Sequence, residues 1–365
     1  MLTINEIKSI PFLFIVGRGR SGTSLLQAVL GDHPNVISTN ESPFILTLKK
    51  KYSKIETWDS KLLDSFITDL YEDLKFSHFW KIDQQTLRRS IGQYSVEQLT
   101  FSVLCKIVYL NFPSSSEKRN ILWLVDKNPI YSLFINDLIE IFPEAKFIHL
   151  VRDYRDNIIS RRKSFGQKDV AILAKSWVKF NRIINNSSKK NPTLFYRIRY
   201  EDLVTAPEKY ISEMCDFLHI RFEVQMLSFH KTTNKFFNEN KDKVVDRILG
   251  EIHSNLLKPI NTEQINKWEK KLNKKEIEIV DYLAGRYALE YNYIQTTHKK
   301  NVLFFIISIK TNIQFLFTYK ITVMYYKTPG IIRVALKKIF VKLNAWFGYY
   351  NKFNRVKFTY RKDTI

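Results

Sequence analysis

The apolar run FLFIV at 12–16 passes directly into GRGRSGTSLL at 17–26, and this succession constrains the fold more than any other stretch of the chain. Five consecutive apolar residues closed by a glycine-rich loop predict a strand buried on both faces. The residues after the loop predict a helix. Backbone N–H groups and the positive end of the helix dipole then converge on one point, which is an anion-binding arrangement. Gly17, Gly19 and Gly22 permit turns and close approach, Ser21, Thr23 and Ser24 add hydroxyl donors, and Arg18 and Arg20 add charge.

Further short apolar runs occur at 36–38 (VIS), 121–125 (ILWLV), 146–151 (KFIHLV) and 194–200 (LFYRIRY). Between them lie helix-like stretches at 23–30, 96–110, 131–141, 157–164, 170–186 and 207–218. The alternation predicts an α/β fold, a P-loop-like sandwich with a central parallel sheet flanked by helices, binding ligands at the carboxyl ends of its strands. Residues 231–260 are polar and turn-rich, which predicts a loop or lid. Cys105 and Cys215 form neither a disulfide framework nor a CxxC metal pattern, and they read as packing thiols.

The glycine spacing of residues 17–24 also fits a nucleotide loop of the form GxxxxGK[ST]. Thr23 occupies the position of the lysine that would bridge phosphates there, and this weakens a small-molecule kinase using ATP-Mg as the alternative.

The chain resembles the PAPS-dependent sulfotransferases (PAPS, 3′-phosphoadenosine 5′-phosphosulfate), which carry an RSGT type of loop after their first strand. A second motif agrees with the first. KFIHLV ends in Arg152, and Ser160 follows eight residues later, matching the positions that bind the family's 3′-phosphate. Glu41 in TNESPF and Lys127 in VDKNPIYS match the catalytic carboxylate and lysine of the tyrosylprotein branch in particular. RYEDLVTAPE resembles a segment that places Tyr200 near the nucleotide. HSNLLKPINTEQINKW resembles the loop that closes over the cofactor, implicating Ser254, Lys258 or Lys267.

The resemblance covers about residues 10–292 and implies sulfuryl transfer from PAPS to a hydroxyl of a glycan, lipid or tyrosine, without a metal. Glu41 would be the general base, and Arg20 and Lys127 would neutralise developing charge. Loop residues Arg18, Gly19, Arg20, Ser21, Gly22, Thr23 and Ser24 would hold the 5′-phosphosulfate. His33, in an HP turn, and His149, inside a strand, read as structural, and Trp177 and Phe180 as core residues.

The net charge of +22 is uneven: residues 296–365 hold fourteen Lys or Arg against the single acid Asp363. The expected organisation is a sulfotransferase domain at 1–295 followed by a basic, aromatic-rich helical extension at 296–365. Apolar residues at 302–326 are interrupted by Lys310 and Lys320, and IIRVALKKIFVKLNAWFGYY follows. The pattern points to an in-plane helix on an anionic membrane surface, or to helices packed on the domain, rather than to nucleic acid. MLTINEIKSI contains no apolar leader, so the default expectation is a cytoplasmic protein, peripheral on the inner face of a membrane. A non-catalytic, membrane-bound anion binder is the reading from another class.

Overall fold

A computed structural model describes residues 2–114, 116–166, 169–239 and 254–328. Five strands, β1 (Phe12–Val16), β2 (Val36–Ser38), β3 (Trp123–Asp126), β4 (Lys146–Val151) and β5 (Phe195–Arg199), form one sheet in the order β2-β3-β1-β4-β5. Every pairing is parallel. The order places β1 between β3 and β4, so the loop after β1 emerges between the carboxyl ends of two neighbours.

Side chains along β1 alternate between the two faces of the sheet as the pleat requires, and all five are buried. Phe12, Phe14 and Val16 join a core on one face with Leu124, Phe147, Tyr109 and Tyr131. Leu13 and Ile15 join the other with Val125, Ile148, Leu150 and the helices Thr23–Gly31 and Pro207–Leu218. Both faces are covered, which is why these strands read as continuous apolar runs. A third cluster forms beyond β4, where Tyr154, Ile158 and Trp177 meet Trp268, Val280 and Tyr291. Cys105 and Cys215 are free and buried.

The stretch expected as a loop at 231–260 is in part the helix Phe229–Glu239. This helix lies against Thr23–Gly31, so packing overrides its polar composition. The turn Ser254–Leu257 follows, and residues 240–253 lie outside the described residues. So does the block at 331–350.

The helix Val302–Lys327 starts where Asn301 caps it by accepting from Leu303 N at 2.9 Å. It lies across the helices Val170–Lys190 and Phe44–Tyr52. Ahead of it, Asp281 fastens the chain to the body. Its buried carboxylate accepts from the Thr296 amide and hydroxyl, each at 2.8 Å, and from the Thr297 amide at 3.0 Å.

Candidate active site

The loop at 17–22 is shaped by two glycines that no other residue could replace cheaply. A Cβ on Gly17 would lie 2.4 Å from the Leu150 carbonyl oxygen of β4. Gly22 has φ +97°, in the left-handed region, and a Cβ there would lie 2.5 Å from the Tyr200 ring. Arg20 also adopts a positive φ, 75°. Such a conformation in a residue with a side chain persists only where the surroundings enforce it. Gly22 caps the helix Thr23–Gly31 without contributing a side chain, so the first amides of the helix face the loop's concavity.

Partners from distant parts of the chain fix the loop. The Gly17 amide donates to Ser132 Oγ at 3.0 Å, and that hydroxyl donates to Gly17 O at 3.2 Å. Asn157 Nδ2, fully buried, donates to Gly19 O and to Ser21 Oγ, both at 3.1 Å. The Arg18 guanidinium stacks 4.5 Å from the centre of the Phe180 ring.

The 3′ half of the expected site assembles on the β4 side. Arg20 Nε donates to Ser160 Oγ at 3.2 Å, and Arg152 donates to Arg20 O at 3.2 Å. Arg152 also stacks 4.5 Å above the Tyr200 ring, so the strand-end arginine, the loop, Ser160 and Tyr200 form one contiguous cluster. Trp177 Nε1 donates to Arg152 O at 2.9 Å, giving a core residue a second task in aiming Arg152. Burial, the nearby Arg152 charge and the opposing pull of Glu41 together bring the Arg20 pKa down to about 10. Cations held this close in a desolvated pocket repel one another, and an anion between them would relieve that repulsion.

On the β3 side Lys127 forms an ion pair with Glu41. The lysine is buried, whereas the carboxylate retains partial exposure to solvent. Behind the pair lies a buried polar knot. Asp126 accepts from the Tyr109 hydroxyl and from Asn128 Nδ2 at 2.7 Å, while Asn128 and Tyr131 each donate to the Ser42 carbonyl at 3.3 Å. These contacts hold the residue next to Glu41, so the knot positions the carboxylate. Burial pushes the Asp126 pKa up to about 7 despite its donors.

The third group of expected residues is placed differently. Ser254, Lys258 and Lys267 are exposed, and Lys258 pairs with Glu263 at 3.9 Å. The backbone of the same segment makes the approach instead: Arg152 donates to Gln264 O at 2.5 Å, and the Asn266 and Trp268 amides donate to Asp156 at 2.8 and 2.9 Å. Both histidines are structural, as their sequence context suggests. His33 contacts the Arg221 carbonyl at 2.9 Å, and His149 contacts Asn181 Oδ1 at 2.9 Å, its pKa lowered to about 4 by burial.

Sequence reading missed Ser132, Asn157 and the Asp126 knot. Asn157 precedes Ser160 by three residues, which puts both on the same helical face toward the loop. That spacing was the available signal.

The donor set suits a nucleotide with an anionic group at each of two ends: loop amides and hydroxyls at one, Arg152 and Ser160 at the other. Arg152 Nε is buried and has no hydrogen-bond partner among the described residues, which leaves a donor for an incoming oxygen.

The model of the sulfotransferase family matches residues 11–224. Protein-tyrosine sulfotransferase 1 of Danio rerio is 27% identical over 274 residues, which are 73% of this chain and 67% of that protein. Protein-tyrosine sulfotransferase of Drosophila melanogaster is likewise 27% identical over 274 residues, 72% of this chain and 47% of its own length. This chain therefore spans between about half and two thirds of those relatives. Among solved structures, the sulfotransferase domain from the Synechococcus PCC 7002 olefin synthase is 26% identical with a TM-score of 0.46, covering 76% of this chain and 94% of that one.

Proposed function

This chain belongs to the sulfotransferase family, enzymes that draw on PAPS, and we propose that it delivers the sulfuryl group in line to an acceptor hydroxyl with Glu41 as general base. The observation that carries the proposal is the Glu41–Lys127 pair standing beside Arg20 at the mouth of the loop. PAPS, when bound, supplies a sulfuryl group on a phosphate leaving group. Glu41 takes the proton from the acceptor oxygen, and its ion pair with Lys127 orients the carboxylate for that task. Lys127 and Arg20 offer fixed positive charge where negative charge grows, in a pocket already organised by Ser132, Asn157 and the Asp126 knot. Arg152 and Ser160 hold the 3′-phosphate, and the loop amides hold the 5′ end.

Protein tyrosine is the acceptor that the two named relatives support among the glycan, lipid and tyrosine hydroxyls. The kinase alternative lacks a specific supporting contact, since Thr23 stands at the lysine position and is buried. Thermal shift with PAP, the desulfated product, against ATP-Mg separates the two. Preference for PAP is expected, and preference for ATP-Mg would overturn the assignment. Glu41→Gln should retain the PAP shift while turnover with a tyrosine peptide falls roughly 100-fold or more. Undiminished turnover in that variant would remove Glu41 from the mechanism.

A further inference from the structure

The helix Val302–Lys327 carries apolar residues around its whole circumference, yet the body covers only one side of it. Phe304, Thr311, Phe315 and Thr318, spaced seven, four and three apart, form the covered stripe. Tyr326 anchors the far end, its ring 5.8 Å from that of Phe134, and Lys179 sits 5.0 Å above the Tyr319 ring. The opposite stripe consists of Val302, Ile306, Ile309, Ile313, Leu316 and Met324, each between 46% and 74% exposed. A helix that is hydrophobic all round is normally buried all round. An exposed apolar strip of this length, interrupted at Lys320 between Leu316 and Met324, marks an interaction surface.

We propose that this outward stripe lies in the plane of an anionic lipid surface, an inference independent of the chemistry at the loop. Charge decides between lipid and other apolar partners. The helix contains no Asp or Glu, while Lys310, Lys320 and Lys327 are exposed along it. The following sequence, 329–365, adds nine Lys or Arg against one Asp. Two copies meeting through this face would bring lysine rows together with no acid to answer them, whereas anionic headgroups satisfy the lysines as the apolar stripe enters the acyl boundary.

Length alone would allow the helix to span a bilayer, since 26 residues rise about 39 Å. Docking argues against it: one face is committed to the helix Val170–Lys190, whose Lys179 reaches it. Lipid could not surround a helix held in that way, so it lies flat.

Flotation of the full chain with phosphatidylcholine vesicles, with and without phosphatidylglycerol, tests the proposal. Strong binding is expected only to the anionic vesicles, weakening as salt is raised. Ile309→Glu with Ile313→Glu should reduce it roughly tenfold or more, because the charges fall at the centre of the stripe. Since both positions are exposed, the thermal midpoint and the PAP-induced shift should stay at wild-type values, showing that the fold is intact. Lys310→Gln with Lys320→Gln should lower binding and flatten its salt dependence. Equal binding to neutral vesicles, undiminished flotation of the glutamate variant, or a dimer that dissociates in that variant without any lipid binding would each overturn the proposal.

Discussion

Gly22→Ala is the smallest change that tests the loop geometry. At φ +97° a side chain costs about 1–2 kcal/mol in backbone energy alone. The new methyl would also lie 2.5 Å from Tyr200 Cδ2 and 3.0 Å from Cε2, far inside contact distance, and the ring is buried with Arg152 stacked upon it. Forcing that ring aside adds about 1–3 kcal/mol of overpacking. The sum is on the order of 2–5 kcal/mol. With an unfolding entropy of about 2.1 cal/mol/K per residue over 365 residues, each kcal/mol lowers the midpoint by about 1.3 °C, so a fall of roughly 3–6 °C is expected. Because Tyr200 carries Arg152 with it, calorimetric affinity for PAP should fall about tenfold or more, as expected when a bidentate phosphate contact is misaligned. Affinity for adenosine 5′-phosphosulfate, which lacks the 3′-phosphate, should fall less. A lowered midpoint with wild-type PAP affinity would refute the reading that this loop and the Tyr200–Arg152 stack hold the nucleotide.

Two other perturbations probe the supports of the site. Asp126, with a pKa of about 7 in the fold against an ordinary value near 4, holds a proton through a pH window in which the unfolded chain has lost it. Its stability contribution is therefore present at low pH and lost as pH rises through about 7; Asp126→Asn should flatten the fall in urea-derived stability by up to about 1.4 kcal/mol per pH unit in that window. An unchanged slope would mean that Asp126 is ionised in the native state. Asp281→Ala leaves the Tyr154 hydroxyl and the Thr296 and Thr297 amides without their acceptor, and should cost about 3 kcal/mol. Hydrogen exchange should show the helix Val302–Lys327 losing protection first, and uniform loss across the chain would contradict the assignment of Asp281 as its fastening.

Legibility in the sequence followed the length scale of each signal. The five strands and the loop were readable because burial on both faces leaves an uninterrupted apolar run, and because a Gly-rich turn between strand and helix has few other uses. The resemblance to the sulfotransferases singled out Arg152 with Ser160 and Glu41 with Lys127, and the fold brings both groups beside Arg20 of the loop. Asp126, Asn128, Ser132 and Asn157 were not singled out, although they lie beside or within the same motifs. A polar residue in a motif has many possible partners, and only the fold shows that Ser132 meets Gly17 across 115 positions. The docking side of the helix at 302–327 was equally hidden, since a helix apolar on every face carries no periodic mark of which one packs.

The sheet order explains why the loop can dispense with the P-loop lysine. With β1 flanked by β3 and β4, each neighbour ends beside the loop and delivers its own cation: Lys127 directly after β3, Arg152 directly after β4. Charge reaches the anion from both sides rather than from the first turn of the helix, and Thr23 there is free to be a small, buried hydroxyl residue. The two cations also differ in their companions, Lys127 being paired with a carboxylate and Arg152 with an aromatic ring. In the proposed mechanism the carboxylate side exchanges the proton with the acceptor, and the arginine side presents a planar fork to the phosphate. On that proposal the asymmetry divides chemistry from nucleotide recognition within one loop's reach, through a strand adjacency that the linear sequence separates by twenty-five residues.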